Sequence, residues 1–268
     1  MSHVVSVAAI GLLCPAGVGK EGASGGRPGE VPGFRARAYV VNRKNLKLMS
    51  RAVKLGVSGI RLALAQVEDW EEVPPERRGM FVGSTPLGGE IGDLSPALDV
   101  SADDEGKVDL QAFATKGYPL IHPLWLVKGL SNNVLGFASA AHNFQGVNGN
   151  YCDGAASGAN ALREGWAAVA EGRADLVVAG AADSLVGLEA LIPGHKAGEG
   201  SAFFVLRPIG TAVPGSLVLR RGEGHLEAEE AKLGYLGAAG EVVSLARAAM
   251  RGELPSGLAQ HGLYLSLA

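Results

Sequence analysis

Residues 146–183 read GVNGNYCDGAASGANALREGWAAVAEGRADLVVAGAAD, and this stretch decides the fold. From 155 to 170 small and apolar residues recur at helical spacing, which predicts a helix. Gly172-Arg-Ala-Asp175 follows as a turn, and Leu176-Val-Val-Ala-Gly180 is an apolar run of strand length. A helix handed by a short turn to a buried strand is the repeating unit of an α/β layered protein.

The flanking chain repeats the alternation. Residues 4–13 are apolar and β-branched and stop at Pro15-Ala-Gly17, so they predict a strand. Residues 17–34, rich in Gly and Pro, read as a loop. Across 45–70, Leu48, Ala52, Val53, Gly56, Ile60, Ala63, Leu64 and Val67 share one helical face. Residues 79–83 form a short buried strand, and 84–118, acidic in the middle, read as an excursion or flap. Residues 123–137 predict a helix containing Asn132 and Asn133. Further on, 201–206 and 216–219 are strands, 240–250 is a helix stopped by Gly252 and Pro255, and 263–267 is a last strand.

Composition sets the outer limits. A chain of 268 residues that is 47% hydrophobic and 19% charged buries a sizeable core, which excludes disorder. The net charge is -3 and no basic stripe is present, which argues against nucleic acid. Cys14 and Cys152 have no metal-ligand spacing and form no disulfide framework, so reduced thiols in a cytoplasmic protein are expected. The apolar run 4–14 is too short to span a bilayer and has no Lys or Arg before it, so neither a membrane span nor a signal peptide is predicted.

Several motifs fail on context. Gly17-Val-Gly-Lys-Glu-Gly22 matches the dinucleotide fingerprint by letter, but Ala-Ser-Gly-Gly-Arg-Pro-Gly follows where a helix must open. Lys20 is followed by Glu21, so there is no P-loop. Gly22-Ala-Ser-Gly-Gly26 lacks the strand and helix of a nucleophile elbow, leaving Ser24 a loop serine. His3, His122, His142, His195, His225 and His261 show no paired metal spacing, and no metal or cofactor is expected. The acidic run 223–230 reads as a solvated helix face.

The strand and turn at 4–17, the helix at 47–56, the strand at 79–85, Gln145-Gly-Val-Asn148, residues 173–183 and the glycine-rich strand at 198–206 form a collinear set over residues 3–208, and together they resemble the β-ketoacyl-ACP synthases of the thiolase superfamily. Val4-Val-Ser-Val-Ala-Ala-Ile-Gly-Leu-Leu-Cys-Pro-Ala-Gly17 resembles their opening strand and turn. Lys47-Leu-Met-Ser-Arg-Ala-Val-Lys-Leu-Gly56 is similar to their first long helix, and Gly79-Met-Phe-Val-Gly-Ser-Thr85 to their second strand. Residues 123–136 and Gln145-Gly-Val-Asn148 resemble the approach to the nucleophile. Residues 173–183 resemble the strand after the nucleophile helix, and Gly198-Glu-Gly-Ser-Ala-Phe-Phe-Val-Leu206 the glycine-rich strand closing the first half. The resemblance implies a thiolase-like layered α-β-α-β-α fold with a truncated C-terminal half. It implies one domain over 1–268, with 1–208 the ketosynthase-like N-terminal half and 209–268 the shortened remainder.

In that family a cysteine at a helix N-terminus accepts the acyl group and two histidines assist decarboxylation and condensation. Read from Gly146-Val-Asn148 on one side and Ser157-Gly158 on the other, the nucleophile position falls on Ala155, whose methyl group carries no acyl chain. Cys152, three residues earlier, is the alternative nucleophile; otherwise it is a packed thiol at a buried strand end. The family's His-Gly-Thr-Gly-Thr segment is absent. Lys232-Leu-Gly-Tyr-Leu-Gly-Ala-Ala-Gly240 resembles the motif of the second histidine, with Gly234 or Tyr235 in its place and Lys232 near the family lysine. Ala155, Ser157, Lys232 and Tyr235 are thus the expected vestigial site. Loss of one general base alone costs about 10²–10⁴ in rate.

Three readings follow. The first is a pseudoenzyme: a non-catalytic ketosynthase-like subunit, related to chain-length factors, in a fatty-acid or polyketide pathway. It would act as a homodimer or as a heterodimer with an active ketosynthase, with acyl-carrier protein as a further partner. The second is acyl transfer or acyl-thioester hydrolysis through Cys152, with His225 or His261. The third is an acyl-chain-binding or scaffold module.

Overall fold

The structure, a computed structural model, describes residues 4–85, 91–211 and 214–268. His3 and part of the 84–118 excursion lie outside them. The strands are β1 (Val4–Cys14), β2 (Gly17–Val18), β3 (Arg78–Gly83), β4 (Asn148–Tyr151), β5 (Leu176–Ser184), β6 (Glu199–Pro208), β7 (Leu217–Arg221), β8 (Ser256–Leu258) and β9 (Leu263–Leu267). The helices are α1 (Arg51–Leu64), α2 (Ser95–Asp99), α3 (Leu110–Ala112), α4 (Trp125–Lys128), α5 (Asn133–His142), α6 (Ser157–Ala170), α7 (Glu230–Leu233) and α8 (Gly240–Arg251).

One mixed sheet runs through the described residues in the order β4-β3-β5-β6-β1-β7-β9-β8, with β2 folded back on β1. β3, β4 and β5 are parallel, while β6 is antiparallel to β5 and β1. The C-terminal part contributes β7, β8 and β9 together with α7 and α8, and joins the rest of the sheet where β7 pairs with Val4, Val5 and Ser6. Two apolar clusters fill the two faces. Val53, Ile60 and Leu64 of α1 and Val134 and Ala138 of α5 belong to one. Leu162 and Trp166 of α6, Val242 and Leu245 of α8, and Leu258, Leu263 and Leu265 of the last strands belong to the other.

β1 shows how the faces are kept. Its register shifts between Val7 and Ala9, and Ala8 is the exposed residue. Val5 and Val7 before the bulge, and Ile10, Leu12 and Cys14 after it, therefore share a face although their parity differs.

The expected helix over 45–70 is shorter. Ser50 Oγ accepts the Val53 N–H and starts α1 at Arg51, and residues 43–48 are a 3-10 turn. The expected helix over 123–137 divides in two. Buried Asn133 donates from Nδ2 to the carbonyls of Val127 (2.6 Å) and Lys128 (3.2 Å), satisfying the end of α4 while itself opening α5. The 17–34 loop contains β2 and a 3-10 turn at Gly19–Ala23. The acidic run is not a solvated helix: 222–229 carry no regular structure, and Glu229 is buried. Its carboxylate lies 2.6 Å from Arg247 Nε and 2.7 Å from Arg251. The two arginines also donate to the carbonyls of Gly25 and Ala23, tying the glycine-rich loop to α8.

α6 packs on β3 with no side chain between them. A Cβ at Gly83 would stand 2.5 Å from the Ser157 carbonyl carbon and Gly158 nitrogen, so only glycine permits this approach. Gly83→Ala is therefore expected to destabilise the protein by about 1–3 kcal/mol, a melting point lower by several degrees. A thermal melt of Gly83→Ala matching the native chain would contradict this packing.

Candidate functional site

β4 ends at Tyr151, and the chain turns through Cys152 and Asp153 into a 3-10 turn at Gly154–Ala156 before α6 begins. Gly154 has φ +65°, the left-handed conformation in which glycine carries no penalty. Buried Ser157 holds the turn: its Oγ accepts the Asp153 N–H (2.8 Å) and donates to the Gly154 carbonyl (2.7 Å). Asn160 Nδ2 donates to Asp153 Oδ2 at 3.0 Å and closes the loop against the first turn of α6.

Ala155 stands at the tip of this turn and lines a half-open cavity of about 340 Å³. The opposite wall comes from α7, the segment 234–237, the first turn of α8, and β8. Leu226, Leu233, Leu236 and Leu258 make much of it apolar. The wall is fixed from below by Asp183 at the end of β5, whose Oδ2 accepts the Ala238 N–H at 2.9 Å and whose Oδ1 accepts the Ser184 N–H at 2.8 Å. Gly158 lets α6 meet this wall directly, since a Cβ there would lie 2.6 Å from the Ala238 carbonyl oxygen.

Of the residues singled out in the sequence, the fold brings Ala155 and Tyr235 to one cavity, with Ser157 buried beneath the turn. Lys232 points elsewhere: it is exposed and lines a separate polar cleft with Ser24, Arg247 and Arg251. Cys152 sits just beyond the strand end and is half-buried rather than packed away. Its sulfur lies 3.4 Å from Ser84 Oγ and accepts from Asn150 Nδ2 at 3.3 Å, and neither partner is a base. Cys152 does not line the cavity. His225 does, from an exposed position, whereas His261 lies 3.3 Å from Glu241.

A grouping at the rim was not foreseen. His195 Nδ1 is hydrogen-bonded to Glu230, and its ring packs on Tyr235 with centroids 4.8 Å apart. Glu230 and Tyr235 both line the cavity. His195 and Glu230 are 35 residues apart, so no spacing in the sequence joins them. His142, by contrast, is a core group: burial, with a smaller push from Arg61, brings its pKa down to about 4, and it meets Trp70 edge-on. Among the described residues no group of three or more His, Cys, Asp or Glu could hold a metal ion, and no helix is long and apolar enough to cross a membrane.

No protein-family model matches the chain. Solved structures do. The ishigamide ketosynthase/chain length factor is similar with a TM-score of 0.68 and 16% identity, covering 98% of both chains. A type II polyketide synthase acyl-carrier protein in complex with its ketosynthase bound to the hexaketide matches with a TM-score of 0.61 and 18% identity, over 83% of this chain and 70% of that one. A β-ketoacyl synthase from Burkholderia phymatum STM815 matches with a TM-score of 0.61 and 18% identity, over 86% of this chain and 65% of that one. The fold is thus the thiolase-like α/β fold of the ketosynthases and chain length factors.

Asp183 makes the cavity floor sensitive to pH. Burial pushes its pKa up to about 6, against the opposing pull of the Ala238 and Ser184 N–H groups. The folded state therefore binds this proton more tightly than the unfolded chain, and stability from it is present at acid pH and lost as pH rises from about 4 through 6. The amount is roughly 3 kcal/mol. Asp183→Asn, which keeps one acceptor and cannot ionise, is expected to flatten that stretch of a urea-stability profile; an unchanged slope would assign it to other groups.

Proposed function

We propose that this chain is a ketosynthase-like accessory subunit without condensing activity, a cytoplasmic partner of an active ketosynthase in a fatty-acid or polyketide-type pathway. The observation that carries the reading is Ala155. The turn that opens α6 keeps its hydrogen-bonded frame and its place beside a cavity, and the residue it presents has no nucleophilic atom. The motif of the second family histidine contributes Tyr235 to the same cavity instead of an imidazole. A helix N-terminus favours a thiolate, so the electrostatic setting outlives the group it would serve.

The outer surface supports a partner. β4 is the terminal strand of the sheet among the described residues, and its outer edge is open for pairing. α5 flanks that side: Asn132, Leu135 and Gly136 border a small cleft with Asn148 of β4. The segment leading into α5 exposes Leu110, Tyr118, Leu120, Leu126 and Leu130, a concentration of large apolar side chains at the surface. A terminal strand and, in the segment leading into α5, a set of exposed leucines are features that another copy of the same fold could cover, either an active ketosynthase or this chain itself. Acyl-carrier protein is the further partner this role brings with it.

Two measurements test the reading. With an acyl-carrier-protein thioester, the native chain is expected to show no acyl adduct by intact mass, while Ala155→Cys gains one and still makes no condensation product. An adduct on the native chain that disappears in Cys152→Ser would return the protein to the enzymes. Co-expressed with an active ketosynthase, the chain is expected to co-purify at one to one, and Leu126→Asp to weaken that recovery about tenfold, the scale of a buried interface contact. Recovery of self-associated protein alone would defeat the heteromeric version.

A further inference from the structure

The charge of -3 is unevenly spread, and the expected absence of a basic stripe fails over residues 31–67. That stretch holds eight of the chain's 24 Lys and Arg and none of its 27 Asp and Glu. Val31, Val40 and Met49 are buried in the core. Between these anchors the chain makes two 3-10 turns, Ala36–Ala38 and Arg43–Leu48, which touch each other, and the second leads into α1. Arg35, Arg37, Arg43, Lys44 and Lys47 are exposed on these turns, and among the described residues none of the five has an acidic partner. Glu199 and Glu30 answer Arg51 instead. Val41 stands amid the basic residues at 61% exposure, beside the half-buried stacked rings of Phe34 and Tyr39.

The backbone adds to the same field. α1 begins at Arg51 with no acid in its first turn, and its N-terminus carries roughly half a positive charge. Like charges gathered at the positive end of a helix repel, and an opposing negative surface relieves that repulsion. The rest of the chain is net acidic, so an anionic surface attracts this face, repels the others and thereby orients the molecule.

We infer that the face formed by residues 34–48 docks peripherally on an anionic lipid bilayer, with the five basic side chains on headgroups and Val41 dipping into the interface. Shape favours lipid over a structured polyanion. None of the five lines the cavities described above, so nothing here is moulded to one anion, and long side chains on outward turns suit many mobile headgroups. An exposed apolar residue ringed by Lys and Arg is the arrangement that gains from an acyl boundary as well as from charge. No helix among the described residues is long and apolar enough to cross a membrane, so the contact is at the surface. It uses no residue of β4 or of 110–130 and needs no partner subunit.

The test is co-sedimentation of the full chain with phosphatidylcholine vesicles, plain or containing about one-third phosphatidylserine. The native chain is expected to bind the serine-lipid vesicles at least tenfold more tightly, and to lose that preference in about 0.5 M NaCl, where charge is screened within roughly 4 Å. The triple variant Arg43→Glu/Lys44→Glu/Lys47→Glu should lose tenfold or more with an unchanged melting curve, and Lys44→Glu alone should lose a smaller share. Val41→Trp should raise affinity for the anionic vesicles severalfold. Equal binding to both vesicles, or a folded triple variant that binds like the native chain, would overturn the assignment, as would a Val41→Trp without effect. Tighter binding to polyglutamate or to duplex DNA than to the vesicles, at equal charge concentration, would overturn it in favour of an acidic protein or a nucleic acid.

Discussion

Two backbone contacts without side chains hold the site: α6 against β3 at Gly83, and α6 against the turn Gly237–Ala239 at Gly158. Because no Cβ stands between them, the first turn of the helix is wedged between the sheet and the cavity wall. The turn that carries Ala155 has little freedom to move relative to either. Ser157, Asp153 and Asn160 complete the clamp with short-range hydrogen bonds. What the turn presents to the cavity from this fixed position is the methyl group of Ala155.

Two buried carboxylates secure the surroundings. Glu199, fully buried at the start of β6, accepts from the Val31 N–H, from Arg51 at the start of α1, and from Ser184 at the end of β5. It thereby fixes a helix, a strand and a loop at one point. Glu229 does the same for α8 and the loop 19–26 through its two arginines. Desolvating such charges offsets much of their attraction, so their contribution lies in specifying one arrangement more than in net stability. Removing one partner alone is the costly change, because the other is left charged and buried.

The alternation of strands and helices was legible because it rests on apolar runs and periodicity, signals local to each segment. Leu176 to Ser184, residues 240–251 and β9 lie close to where periodicity puts them. What escaped depends on long-range partners. Asn133 looks like an interior helix residue until the carbonyls of Val127 and Lys128 are seen to need its amide. Glu229 looks like one acid in a solvated run until Arg247 arrives from α8. His195 carries no local signal, since Glu230 and Tyr235 reach it only through the tertiary fold. The bulge at Ala8 was equally invisible, because the one polar residue of β1, Ser6, lies before it and the residues after it are all apolar or glycine, so nothing betrays a change of parity.

The ladders on either side of β1 have a mechanical corollary. β1 pairs with β6 along most of its length, but with β7 through only Val4, Val5 and Ser6. The C-terminal strands are grafted on by three rungs at one end of a strand whose other neighbour is already complete. So short a seam leaves side-chain packing to hold the joint: Leu219, Leu258, Leu263 and Leu265 share one apolar core with Val5, Leu12 and Phe204. The last strands are thus fastened to the sheet edge-on by a short ladder and face-on by oil, and loosening either hold alone would leave the other to keep them in place.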